Sequence, residues 1–356
     1  MIQDHDIYSG AQRLEQMYFS PIRVVLDKAR AMREQGLEII PFIAGEPDFN
    51  TPEDIKAATI TAIQNNLTRY GSNRGQPRLR EKIAARLLEE TGVRYDPADE
   101  VLVTTSGAEA INNALLALLD EGDEVILFTP AFVNYENLVY LCGARVIEIP
   151  LKKENGFQID PAQVKRHITA RTKLIVINNP CNPTGVVYSK KVLEQLAALA
   201  VTHNLLVFSD EIYSTLVYEG AQFHSMASFP GMRERTITMN GFSKTFAMTG
   251  WRLGYLAADS RLLLHILKVH QYCTTCSPTF VQEGLADAMD SAGTRRDVAA
   301  MKTEFAARRE LIIRFLDRIP GLSYVKPDGA FYVFVDVSAT GLSGDAFAAR
   351  LLMEKQ

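Results

Sequence analysis

At 356 residues, 47% hydrophobic and 22% charged, the chain has ordinary globular composition and is long enough for one large core and a smaller second one. A net charge of −4, with no long Lys/Arg run, argues against nucleic acid or an anionic lipid surface as partner. No stretch reaches a membrane-length apolar run, and Met1–Asp6 is acidic and polar rather than basic then apolar, so a cytoplasmic protein is expected.

Ser20-Pro21 suits a helix start, and the apolar spacing predicts a helix from Ile22 to Glu34. Ile39–Ile43 reads as a short strand that breaks into the turn Gly45-Glu46-Pro47-Asp48-Phe49. Two more helices are predicted, Pro52–Asn65 and Pro77–Glu90, separated by the polar loop Thr68–Gly75. From residue 100 short apolar runs alternate with helical segments: Val101–Thr105, Glu124–Phe128, Arg145–Ile149, Lys173–Ile177, Leu205–Phe208 and Thr236–Met239. Runs rich in Val, Ile and Leu without period-two alternation are strands buried on both faces, and the intervening helices make the sheet mainly parallel. Arg252–Ala258 follows too soon for a crossover connection, so this seventh strand is expected to run antiparallel. A long amphipathic helix, Arg295–Arg318, a strand Ala330–Val335 and a final helix Asp345–Glu354 complete the pattern. The expected architecture is a seven-stranded, mainly parallel α/β sheet with one antiparallel strand, flanked by helices. Residues 46–285 would form a large domain, and 1–45 with 286–356 a smaller α+β lobe.

Cysteine and histidine usage points away from metal. Cys273-Thr274-Thr275-Cys276 is a single pair where a zinc site needs four ligands, and it reads as two ordinary thiols on a helix or its end. The six histidines are scattered, without metal-ligand spacing.

In an open parallel sheet, ligands bind beyond the carboxyl ends of the strands. The first strand ends in Thr105-Ser106-Gly107-Ala108-Glu109, where small residues at a helix start make either an anion site or a plain cap. The second ends in Thr129-Pro130-Ala131-Phe132, an aromatic that alone reads as core. The fourth ends in Asn178–Gly185, good turn chemistry that also offers Asn182 as a fixed neutral donor. The fifth closes on Asp210, which is costly to bury without a cation, with Tyr213 three residues on. Lys244 lies among small and apolar residues; alone it reads as an exposed loop lysine. Together these residues match the needs of a phosphorylated pyridine aldehyde: an anion cradle plus arginine for phosphate, a carboxylate for the ring nitrogen, and a lysine for the aldehyde.

Asn179-Pro180-Cys181-Asn182-Pro183-Thr184-Gly185, Ser209-Asp210-Glu211-Ile212-Tyr213 and Ser243-Lys244 with Gly250-Trp251-Arg252 and Gly254-Tyr255 resemble signatures of one family. It is the class I (aspartate aminotransferase-like) family of fold-type I pyridoxal-phosphate enzymes. Gly45–Phe49 and Lys326-Pro327 with Gly329–Tyr332 extend the resemblance across most of the chain. The resemblance implies that Lys244 forms the internal aldimine with pyridoxal phosphate and then shuttles the Cα proton. It implies Asp210 against the pyridinium nitrogen, Tyr213 and Asn182 on the phenolic oxygen, and Ser106, Gly107, Ala108, Ser243 and Arg252 around the phosphate. Phe132 would stack on the ring, Gly45 and Asn182 would meet the substrate, and Tyr70 would reach the phosphate of a neighbouring subunit in a homodimer. The expected reaction moves an amino group between an L-amino acid and a 2-oxo acid, with β/γ-elimination or cyclisation as the alternative on the same fold. The family's substrate-carboxylate arginine stands beyond Gln356, so the chain reads as truncated at that end. Replacing Lys244 removes both the cofactor anchor and the general base. Lys244→Ala is expected to keep at most noncovalently bound cofactor and to lose turnover in an amino-transfer assay; unchanged turnover would refute the assignment.

Overall fold

The computed structural model describes residues 10–42 and 44–355. Three helices lead into the sheet: α1 (Pro21–Glu34), α2 (Glu53–Gln64) and α3 (Pro77–Thr91). Pro21 and Pro77 sit at first helical positions, where a missing N–H costs nothing, and Gly92 ends α3 in the left-handed conformation at φ 73°. The central run is β1 (Val101–Thr104), α4 (Ser106–Leu118), β2 (Glu124–Thr129), α5 (Asn134–Leu141), β3 (Arg145–Pro150), α6 (Pro161–His167) and β4 (Thr172–Asn178). It continues with α7 (Lys190–Thr202), β5 (Leu206–Asp210), β6 (Thr236–Gly241), β7 (Gly254–Ala257), α8 (Ser260–Cys273) and α9 (Thr279–Ala288). The last part holds α10 (Ala292–Leu316), β8 (Ser323–Tyr324), β9 (Val335–Asp336) and α11 (Gly344–Lys355). Polar side chains cap five of these helices: Asp160, Ser189, Asp259, Ser291 and Ser343 each accept a first-turn N–H.

Seven strands form one sheet in the order β1-β7-β6-β5-β4-β2-β3. All neighbours are parallel except β7, which is antiparallel to both β1 and β6, as the short connection from β6 requires. Alternate residues feed opposite faces. Val101, Val103, Tyr255 and Ala257 join a core with α2, α3 and α9, whereas Leu102, Leu256, Ile237 and Met239 pack with α4 and α8. Strand β1 is an edge that is nevertheless fully buried, because the loop before α3 covers it: Val103 N–H donates to the Arg74 carbonyl at 2.9 Å.

Two expected strands are absent. Residues 37–42 are irregular, since Pro41 cannot donate to a ladder and Ile40 and Phe42 are exposed; Ile43 lies outside the described residues. The Ala330–Val335 stretch is a loop up to Phe334, because buried Ala330 sits at φ 56°, and only Val335 pairs, with Tyr324. Ile39 instead packs with Ala29 and Met32 of α1 and Leu352 of α11.

Helix α9 lies directly on the α2 backbone. A Cβ at Gly284 would stand 2.1 Å from Thr59 Oγ1 and 2.6 Å from its Cα. Backbone cannot yield as a side chain tip does, so overpacking on the order of 3 kcal/mol exceeds the roughly 1 kcal/mol that alanine gains in helix propensity. Gly284→Ala is therefore expected to lower the urea midpoint; a midpoint equal to or above wild type contradicts this packing.

Candidate active site

Strand register brings distant residues to one rim. Asn178 pairs with Asp210, Asp210 with Met239, Gly241 with Gly254 and Gly254 with Thr104. Consecutive neighbours are about 4.8 Å apart across a sheet, so the ends of β4, β5 and β6, the start of β7 and the end of β1 form one continuous ledge.

At one end of the ledge, Ser106 opens α4 with φ 82°, a left-handed conformation for a residue with a side chain, and Gly107 and Ala108 follow in its first turn. The N–H groups of that turn have no partner within the helix and carry its positive dipole end. Gly254 must be glycine: a Cβ there would lie 2.8 Å from Gly107 N. Arg252 precedes it at φ 56° and donates to the Thr249 carbonyl at 2.9 Å, forming no ion pair among the described residues. Ser243 is buried beside the turn that follows β6. A buried network braces α4 from below. Glu109 accepts from Thr105 N–H, from Asn113 Nδ2, from Thr274 Oγ1 and from His270 Nδ1, the last three at 2.8 Å. Burial alone would raise the Glu109 carboxyl; His270 and the other donors reverse this and hold it below its usual value.

Lys244 is half-buried. Its Nζ donates to the Gly45 carbonyl at 2.5 Å and stands 5.7 Å from the Phe331 ring centre, with no carboxylate ion pair among the described residues. Burial brings its pKa down to about 8, helped by Arg252 and opposed by Glu46 and Asp210. Asp210 is 3% exposed. One oxygen accepts from the Tyr135 hydroxyl and the other from Ile212 N–H at 3.1 Å, and burial still raises its pKa to about 6. Tyr213 is equally buried, and its hydroxyl lies 2.6 Å from that of Tyr332 and beside the Asn182 amide. Asn182 is fixed through its backbone N–H, which donates to Asn178 Oδ1 at 2.7 Å. Gly45 packs so tightly on Tyr332 that a Cβ would fall 2.2 Å from the phenol oxygen.

Phe132 is half-buried and edge-on to Tyr135, with ring centres 5.7 Å apart. Tyr70 is not part of the cluster within this chain: it is 91% exposed, on a loop tied down by the Thr279 hydroxyl through the Leu67 and Arg69 carbonyls. Sequence reasoning missed Tyr135, Tyr332 and Glu109. Tyr135 had a readable signal, a second aromatic three residues after Phe132 at the start of a helix. Tyr332 and Glu109 stand in stretches that the sequence singles out, but their partners Tyr213 and His270 are more than a hundred residues away, and no local pattern gives them a role.

The family described as aminotransferase class I and II matches residues 38–356. The chain belongs to this family. It is 42% identical to an aspartate aminotransferase of Pyrococcus abyssi over 97% of this chain and 87% of that one. An arginine–pyruvate transaminase of Pseudomonas aeruginosa is 39% identical, over 91% of this chain and 82% of its own. In structure the chain is similar to the Thermus thermophilus aspartate aminotransferase with maleate, at a TM-score of 0.93 and 39% identity, covering 97% and 89% of the two chains. It is thus a pyridoxal-phosphate-dependent enzyme that transfers an amino group between an amino acid and a 2-oxo acid.

The residues fit that cofactor. Asp210 is a buried carboxylate with two hydrogen-bond donors but no cation, which suits a protonated ring nitrogen. Lys244 and Arg252 have no carboxylate paired to them among the described residues, and α4 presents its amino end at the same ledge. The Gly45 carbonyl holds Lys244, and Tyr332 closes over Gly45, so an added methyl group must displace one of them. Gly45→Ala is expected to leave the circular dichroism unchanged while lowering kcat/KM on the order of 100-fold, the scale of a misplacement of about 1 Å. Wild-type kcat/KM in that variant would contradict the packing.

Proposed function

We propose that the ledge is the catalytic centre of this aminotransferase, with Lys244 anchoring the cofactor and moving the substrate proton. The observation that carries the assignment is the pair of partly or wholly buried, unpaired charges, Lys244 and Asp210, that lie close enough to shift one another. When bound, pyridoxal phosphate supplies an aldehyde carbon that condenses with amines and a protonated ring that draws off charge from Cα. Lys244 Nζ would anchor the aldehyde carbon and, as a neutral amine, would be the base that takes the proton from the substrate Cα. Asp210 keeps the ring nitrogen protonated, with Tyr135 holding its carboxylate in place. Tyr213 and Asn182 donate to the phenolic oxygen; Ser106, Gly107 and Ala108 N–H groups, the Ser243 hydroxyl and Arg252 hold the phosphate. Phe132 would pack against the ring, and Gly45 with Asn182 would meet the substrate.

In this reading the working unit is a cytoplasmic homodimer with shared sites, and Tyr70, exposed on its anchored loop, serves the site of a second copy. Residues 46–285 form the large domain, and 1–45 with 286–356 the small one. Packing of α1 and Ile39 against Leu352 of α11 supports that grouping.

The test is pH dependence. With a pKa lowered to about 8, Nζ carries its proton below that value, and the neutral amine that attacks the aldehyde falls about tenfold per pH unit. Uptake of pyridoxal phosphate by cofactor-free protein, followed by absorbance, is expected to accelerate about tenfold per pH unit up to about pH 8 and to level off above it. A rate that does not vary between about pH 6 and 9 would remove Lys244 from this role.

A further inference from the structure

The Tyr213–Tyr332 contact joins two hydroxyls, either of which can donate, and their surroundings differ. The two hydroxyls are 2.6 Å apart, so one proton lies between them and either oxygen can own it. Both phenols keep their protons at neutral pH, because burial pushes Tyr213 well above the usual phenol range and Tyr332 up to about 12. One O–H is therefore in the shared bond, and the other is free to point elsewhere. The Gly45 α-carbon, which accepts nothing, packs against the Tyr332 oxygen, and no second acceptor for this hydroxyl occurs among the described residues. Tyr213, by contrast, faces the ledge, with the Asn182 amide and Asp210 next to it and Lys244 and Tyr135 around Asp210.

The loop that carries Tyr332 is tied down on several sides, so the two phenol oxygens are held at one separation. Gly329 N–H donates to Gly185 O and Ala330 N–H to Leu216 O, both at 2.8 Å. The Ala330 carbonyl accepts from the Tyr218 hydroxyl, and Arg309 Nε donates to Pro327 O, each at 2.5 Å. The Tyr332 ring is edge-on to Tyr213 with centres 5.6 Å apart.

We propose that Tyr332 is a positioning residue of the cofactor site: its hydroxyl donates to the Tyr213 oxygen and so commits the Tyr213 proton to the cofactor's phenolic oxygen. This rests on the assignment of Tyr213 made above. An oxygen that receives a hydrogen bond is a better donor through its own proton, so Tyr332 strengthens the Tyr213 bond without touching the cofactor. The anionic form of the phenolic oxygen gains most, because charge-assisted hydrogen bonds are the stronger ones.

The test is the pH titration of the bound cofactor's visible absorbance in the holoenzyme, for wild type, Tyr332→Phe, Tyr213→Phe and the double variant, with circular dichroism to check the fold. Weakening the bond to the anionic oxygen raises the midpoint. Tyr332→Phe is expected to raise it by about half a pH unit, roughly a threefold gain in proton affinity. Tyr213→Phe is expected to raise it further, and the double variant to match Tyr213→Phe alone. A shifted Tyr213→Phe beside an unshifted Tyr332→Phe overturns the role given to Tyr332. Shifts that add in the double variant overturn its acting through Tyr213. An unshifted Tyr213→Phe overturns the Tyr213 assignment itself.

Discussion

The carboxylate of Asp210, shut away from water at the end of β5, is the constraint on which the rest of the site depends. Two donors, the Tyr135 hydroxyl and Ile212 N–H, offset part of the desolvation. The remainder shows as a pKa raised from 3.8 to about 6, which is about two pH units or roughly 3 kcal/mol held against the charged form. A cation placed beside this carboxylate would offset that cost, which is what the proposed pairing with a protonated ring asks of it. Lys244 mirrors it: its pKa of about 8 brings the neutral amine within reach of working pH, and burial is the leading cause.

Such charges can be withdrawn from water only because the backbone around them is rigid. The sheet ledge supplies that rigidity. Hydrogen-bonded register fixes Asp210, Asn178, Gly241 and Gly254 to within ladder spacing, and glycine at 254 lets β7 approach the start of α4. Two segments distant in sequence then close over it. The Gly45 carbonyl takes the lysine, and the Gly329–Tyr332 loop, anchored on residues 185, 216 and 218, covers Gly45 and reaches Tyr213. The relatives named for aspartate and for arginine–pyruvate transfer share about two fifths of their residues with this chain. A common apparatus for the cofactor's chemistry with divergent substrates is consistent with that breadth.

Much of this was legible in the chain itself. Continuous Val/Ile/Leu runs separated by helical segments specify strands buried on both faces and hence a parallel sheet, and a connection too short for a crossover specifies β7 as the antiparallel member. Polar residues at strand ends then fall on one side of the sheet by topology alone, which is how Lys244, Asp210, Asn182 and Arg252 could be grouped before any distance was known. Among the described residues, 39–42 and 330–334 are apolar runs that join no ladder, although both stretches were expected as strands. Propensity favours extended backbone there, but Pro41 and the left-handed Ala330 deny the ladder.

What the sequence by itself determined was composition, element order and the chemical identity of the ledge residues, because periodicity and strand-end position are local properties of the chain. What only the tertiary structure decided was the partnership of each buried polar group. Tyr135 with Asp210, Tyr332 with Tyr213, His270 with Glu109 and the Gly45 carbonyl with Lys244 are contacts across 75 to 199 residues. Contacts of that span arise from packing and leave no repeat in the sequence, and the burial that comes with the same packing is the leading cause of the shifts at Asp210 and Lys244.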